Sequence, residues 1–173
     1  IEILRSYRSA FKFAHERMIL FSGYFLPGRL ERKLMRQASS RGVDIRIVLA
    51  AESDAPFFRR ATWFLYDFIL RNNIRIYEYM PSNLHAKVAT VDGKWCTVGS
   101  YNLNHLSDYG SVEMNVDVLD NDFTGQFEKI LLRIIRNDCR QVTFEDYLRR
   151  KTVFLQLSGW LSYQMIRLLM RIM

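Results

Sequence analysis

Between residues 18 and 79 the apolar residues change period again and again over short distances, and few folds accept that pattern. Met18-Ile19-Leu20-Phe21 is the unbroken run of a buried strand, broken off by the stretch from Gly23 to Gly28. Leu30, Leu34 and Ala38 then recur at helical spacing up to Arg41-Gly42, where glycine takes a left-handed cap. Residues 43–49 alternate and then run continuously, 61–70 read as a helix, and 74–79 alternate strictly. Strand, helix, strand, helix and strand on short connections specify crossover units. The prediction is an α/β fold with a mixed, mostly parallel sheet flanked by helices on both faces.

After residue 84 the style changes. Residues 84–91 and 94–98 flank Asp92-Gly93, a strong two-residue hairpin signal. Residues 112–118 form one more alternating strand, and helices from Asp122 and Glu145 close the chain. A first segment, 1–17, carries Ile3, Leu4, Tyr7, Phe11 and Ala14 in a near-helical stripe that begins without an initiator Met, so the chain is expected to be a fragment. The division expected is a half-domain over 1–143 and a carboxy-terminal helix over 144–173.

Composition bounds the function. A chain of 173 residues that is 49% hydrophobic, with only 8 Gly and 3 Pro, is no disordered tail or linker. A net charge of +7 favours an anionic partner without choosing between nucleic acid, a lipid surface and a small phosphate ester. Two cysteines, Cys96 and Cys139, make no disulfide framework, and the bland expectation is a reduced compartment.

The chemistry is concentrated in one stretch. On a strand His85 and Lys87 project from the same side, and burying such a pair is costly without an anion to share. Beyond the hairpin, Gly99 permits close backbone approach, Ser100 offers a hydroxyl and Asn102 an amide, with Asn104 two residues on. A cation, neutral donors and an imidazole suit a phosphodiester, since imidazole can attack phosphorus or protonate the leaving oxygen. Lys87, Ser100 and Asn102 are then the expected transition-state ligands. Asp92 has the opposite strand parity and precedes Gly93, so it reads as a turn or ion-pair anchor. His15 and His105 read as surface histidines.

The pattern His85-x-Lys87-x4-Asp92-x6-Gly99-Ser100, followed by Asn102, resembles the signature of the phospholipase D superfamily. The likeness extends to Tyr24-Phe25-x-Pro27, Arg41-Gly42-Val43-Asp44, Ile76-Tyr77-Glu78-Tyr79 and Val112-Glu113-Met114-Asn115, which are similar to the second half of bacterial cardiolipin synthases. The resemblance implies a phosphatidyl transferase that forms cardiolipin through a phosphohistidine, without metal or other cofactor. The catalytic set it implies is His85, Lys87 and Asp92, with Ser100, Asn102 and Glu113 on the substrate and Glu113 accepting a hydrogen bond from the imidazole. In such enzymes two halves share one site, so a missing first half or a second protomer is an expected partner. Nucleophile and acid both stay open for His85, the likeness to the second half favouring the acid. A single-motif nuclease or phosphodiesterase working as a homodimer, with nucleic acid as partner, is the rival enzyme. An inert phosphate-binding scaffold is the non-enzyme alternative.

At the carboxy terminus, apolar residues at 153, 154, 157, 160, 161, 165, 168, 169 and 172 form a wide helical face behind Arg149-Arg150-Lys151. The run falls short of the ~20 residues needed to span a bilayer. It suits a helix lying in the headgroup layer of an anionic membrane, and packing on the missing half is the other reading. With the resemblance, this places the protein peripherally at the cytoplasmic face of a bacterial cell membrane, acting on a phosphatidylglycerol-like lipid.

Overall fold

A computed structural model of the chain describes residues 2–104, 107, 108 and 110–172, the last three as backbone only. Helix α1 (Glu2–Phe13) leads into strand β1 (Arg17–Ser22), followed by α2 (Arg29–Ser40), β2 (Asp44–Ala50), α3 (Pro56–Phe64), α4 (Tyr66–Arg71) and β3 (Arg75–Tyr79). Next come β4 (Lys87–Val91), β5 (Trp95–Gly99), β6 (Asn115–Val118), α5 (Asn121–Asp138), β7 (Cys139–Val142), α6 (Phe144–Arg150) and α7 (Val153–Ile172).

The strands form one sheet in the order β6-β5-β4-β1-β2-β3-β7. Only β1–β2 and β2–β3 pair in parallel. The other pairings, β1–β4, β3–β7, β4–β5 and β5–β6, are antiparallel. The sheet is therefore mixed as expected, but its majority is antiparallel, which corrects the mostly parallel reading. Crossover geometry governs only the first three strands. From β4 onward the chain runs in hairpins and edge additions, which need no crossover.

Alternation along the strands sorts the core into two layers. Met18 and Leu20 of β1 and Ile45, Ile47 and Leu49 of β2 join Leu4, Tyr7, Phe11, Met35, Tyr66, Tyr147 and Tyr163 on one face. Ile19, Phe21, Val48 and Tyr77 point the other way, against Leu131 and Ile135 of α5. Helices thus cover both faces, as predicted.

Several boundaries differ from expectation. The helix read over 61–70 is two helices broken at Leu65, whose N–H turns back to the Thr62 carbonyl at 2.9 Å. The strand read over 112–118 begins at Asn115, and the one read from residue 84 begins at Lys87. Strand β7 went unforeseen: Cys139-Arg140-Gln141-Val142 buries fully only Val142 and has no apolar period to betray it.

Candidate active site

Strands β1, β4, β5 and β6 deliver their site residues to one end of the strands, because Ser22 at the end of β1 pairs with Lys87 at the start of β4, and Gly99 at the end of β5 pairs with Asn115. At that end a cleft of about 670 Å³ opens, lined by His85, Lys87, Gly99, Ser100, Asn102, Val112, Glu113 and Met114. His85 precedes β4 and is exposed, while Lys87 is buried. Gly99 is required for packing: a Cβ there would lie 2.2 Å from both the Asn115 Oδ1 and the Met114 carbonyl oxygen.

Each side chain is held differently. Lys87 donates from Nζ to the His85 carbonyl at 3.3 Å. Burial depresses its pKa against the opposing pull of Glu113 and Asp54, so this ammonium gains from an anion arriving beside it. The Ser100 hydroxyl donates to Glu113 Oε2 and accepts from the Met114 N–H at 3.0 Å. Glu113 Oε1 accepts from Ser111 at 2.8 Å. Burial opposes its ionisation, but the hydroxyls of Ser100, Ser107 and Ser111 and the charge of Lys87 outweigh that and hold its pKa low. Glu113 is therefore a carboxylate in the cleft, and among the described residues its hydrogen bonds run to serines rather than to the His85 ring.

The two asparagines separate cleanly. Asn102 is buried, its Oδ1 accepting from the Tyr24 N–H at 3.1 Å and from the Ser22 hydroxyl at 3.5 Å, which leaves Nδ2 as its donor toward the cleft. Asn104 spends both ends of its amide on backbone, donating to the Tyr24 carbonyl at 3.0 Å and accepting from the Ser107 N–H at 2.9 Å. Asn102 is thus the amide at the cleft.

Asp92 is not brought to this group. It sits at the far end of β4 in the hairpin turn, where Asp92 and Gly93 have φ of 54° and 62°, the positive values a tight two-residue turn needs. Its carboxylate accepts from the N–H groups of His15, Glu16 and Arg17 at 2.9, 2.9 and 2.8 Å. Burial works against its charge, yet these three donors hold its pKa below the usual aspartate value. Of the other histidines, His15 lies at this distant turn, and His105 lies outside the described residues.

Two residues at the rim escaped the reading by chemistry. Tyr24 sets its ring against His85, with centroids 6.5 Å apart, and donates its hydroxyl to Asp54 at 2.8 Å. Tyr24 stood only as part of a family-like string, and Asp54 carried no signal at all, since it comes from the β2–α3 loop. No group of three or more His, Cys, Asp and Glu able to hold a metal occurs among the described residues.

The family model described as "Cardiolipin synthase, PLD-like domain" matches residues 7–135. Cardiolipin synthase B of Salmonella typhi is 33% identical over 166 residues, 96% of this chain and 40% of that protein. The chain thus spans about two-fifths of the length of this curated relative. Among solved structures, the phospholipase D family member Nuc from Salmonella typhimurium aligns over 81% of this chain and 90% of its own, with a TM-score of 0.69 at 20% identity. The phosphatidylserine synthase of Haemophilus influenzae aligns over 96% of this chain and 42% of its own, with a TM-score of 0.71 at 13% identity. At those identities the two structures speak for the fold alone.

Proposed function

The chain belongs to the phospholipase D-like domain family of cardiolipin synthases, and on that premise we propose that it is one half of a phosphatidyl transferase that makes cardiolipin. The observation that carries this reading is the cleft in which His85, Lys87, Ser100 and Asn102 meet at one end of the strands. Lys87, with the Ser100 hydroxyl and Asn102 Nδ2, would hold the phosphate of a phosphatidylglycerol-like lipid and stabilise charge as it moves to the equatorial oxygens.

Each half supplies one imidazole. In the first step one histidine nitrogen forms a bond to phosphorus while the bond to the headgroup oxygen breaks, and the other imidazolium gives that oxygen its proton. In the second step the hydroxyl of the acceptor lipid attacks phosphorus, its proton passes to the waiting imidazole, and the phosphorus–nitrogen bond breaks. We assign His85 the proton-donor role, in keeping with the likeness of this chain to the second half. The partner is therefore a first half or a second protomer, and the working location is the membrane that holds the lipids, at its cytoplasmic face. We keep Asp92 as the residue that fastens the hairpin rather than as a participant in either step.

His85→Asn in the full-length protein should lower cardiolipin formation from phosphatidylglycerol by at least about 100-fold, the usual scale of lost acid–base catalysis. Near-normal turnover would refute the assignment. A homodimeric single-motif phosphodiesterase is the second reading; the alignment covering 90% of Nuc supports only that a chain of this size can hold the fold. Cleavage of DNA at low salt by the isolated chain, without lipid turnover, would promote it.

A further inference from the structure

Helix α7 is held by one face and bare on the other. Gly159, Ser162, Tyr163 and Ile166, spaced three and four apart, are its buried residues. A Cβ at Gly159 would stand 3.0 Å from the Arg60 carbonyl oxygen and 3.3 Å from Phe64, so the glycine is what lets α7 close onto α3. The Tyr163 ring completes the seam against Phe64, with centroids 5.4 Å apart. On the opposite side Phe154, Leu157, Leu161, Met165 and Leu168 form an exposed row at helical spacing, Phe154 being 79% and Leu168 61% exposed. Trp160 borders the row, and α7 has no acidic residue. No helix among the described residues is long and apolar enough to cross a membrane.

A cationic face lies on the neighbouring helix α2. Arg29, Arg32, Lys33 and Arg36 recur along one side of α2. The Arg32 guanidinium lies 5.7 Å from the centre of the Tyr163 ring, so one cation of this face reaches the inner seam of α7. Arg29, Lys33 and Arg36 are exposed and enter no ion pair among the described residues. The one acid of α2, Glu31, turns inward to Arg8 at 2.7 Å and leaves the positive face uncompensated.

We propose that the outer row of α7 and the basic face of α2 together form the docking surface of this protein for an anionic phospholipid bilayer. Helix α7 lies in the headgroup layer with Phe154, Leu157, Leu161, Met165 and Leu168 inserted, and Arg29, Lys33 and Arg36 meet the phosphates alongside. The proposal rests on the lipid-substrate reading only in expecting the chain to work at a membrane. A partner half is the weaker occupant. It must carry its imidazole to the cleft, whose own exposed apolar rim (Val112, Met114 and, on the neighbouring strands, Val98 and Val116) offers it a seat. No described residue of α7 lines that cleft. An apolar row on α7 and cations on α2 that enter no ion pair among the described residues are together the complement of acyl chains beneath anionic headgroups.

Co-sedimentation of the chain with vesicles of phosphatidylcholine, alone or mixed with phosphatidylglycerol, tests the surface. The wild-type chain should bind the mixed vesicles, and less so as salt is raised. Leu157→Glu/Leu161→Glu/Leu168→Glu should weaken binding by about tenfold or more. Arg29→Glu/Lys33→Glu/Arg36→Glu should abolish the preference for phosphatidylglycerol. All six side chains point to solvent, so circular dichroism and the melting temperature should stay at wild-type values. Should either triple variant misfold, Trp160 in the wild-type chain gives a second readout: brominated lipid should quench it, and Trp160→Phe should remove that quenching. His85→Asn should bind vesicles like wild type, so a failure of the catalytic reading leaves this result standing, and the reverse holds too. Three outcomes would overturn the proposal: no binding to mixed vesicles, a dimer that the α7 substitutions dissociate, or retention of double-stranded DNA in place of lipid.

Discussion

The Tyr24 ring stands edge-on to the His85 imidazole, with centroids 6.5 Å apart and planes at 83°. This edge contact bears directly on the imidazole, and Tyr24 is itself clamped. Its N–H donates to Asn102, its carbonyl accepts from Asn104, its hydroxyl donates to Asp54 and its ring packs on Phe58 at 5.3 Å. The residues that follow Gly99-Ser100 thus hold the tyrosine that stands against the imidazole.

Tyr24→Ala should therefore lower kcat in the full-length protein while leaving KM largely unchanged. An edge contact of ~0.5–1.5 kcal/mol corresponds to a loss of about 2- to 12-fold. Tyr24→Phe keeps the ring and gives up only the bond to Asp54, so it should restore most of that loss. Equal damage from both variants would show that the hydroxyl, rather than the ring, does the positioning. Steady-state kinetics on phosphatidylglycerol vesicles separates the two.

Asn102 and Asn104 should respond differently to removal. Asn104→Ala strands a buried Ser107 N–H and the Tyr24 carbonyl, at a cost of about 1–3 kcal/mol for an unsatisfied buried group. Its main effect should be on the melting temperature. Asn102→Ala should match that destabilisation and in addition weaken binding of a non-hydrolysable phosphate diester, because Nδ2 of Asn102 is the donor left toward the cleft. Calorimetric titration of both variants with such an analogue, below their melting temperatures, checks the contrast.

Asp92 sets an acid limit on stability. Its folded pKa lies below the ordinary aspartate value, so the folded chain binds fewer protons there than the unfolded one. The stability it contributes is complete above the unfolded pKa, about 4, and is lost as pH falls through the lower folded value. Asp92→Asn keeps a residue tolerant of positive φ but leaves one oxygen where two served three N–H groups. The variant should lose roughly 1–2 kcal/mol at neutral pH and show a shallower decline of stability in acid. Urea denaturation at a series of pH values gives both numbers.

Much of this was readable in the residues, and the exceptions share a cause. Strands β1 to β3 showed their period, and Asp92-Gly93 announced its turn, because those signals are local. What β4 pairs with is not local: nothing in Lys87-Val88-Ala89-Thr90-Val91 says that it adds antiparallel beside β1 rather than parallel beside β3. The same division runs through the site. His85, Lys87, Ser100 and Asn102 stand at fixed spacing on one hairpin and its exit. Asp54 reaches the rim from the β2–α3 loop, and only the assembled sheet brings it to Tyr24. Glu113 was placed in the cleft by the resemblance, but its partners Ser100 and Ser111 were not foreseen.

Glu78 is a buried carboxylate shared by three arginines, and its loss should cost stability. It is 1% exposed on β3 and meets Arg59 and Arg140 at 2.6 Å each and Arg150 at 3.1 Å, with the Tyr66 hydroxyl at 3.3 Å. Burial raises the pKa of such a group, but here the three guanidiniums prevail and hold it below the usual glutamate value. The arginines come from α3, β7 and α6, so one carboxylate ties the sheet to two helices and fastens the segment that leads into α7. Glu78→Ala should cost about 3–5 kcal/mol, the scale for stripping the partner from buried charge, because Arg59 would be left unpaired in the interior. Glu78→Gln keeps the shape and an acceptor, so it should cost less, yet still lose the acid-sensitive part of the wild-type stability. Chemical denaturation of both variants at neutral pH and in acid measures the difference, and equal stability of Glu78→Ala and wild type would mean that the cluster contributes only solvated surface charge.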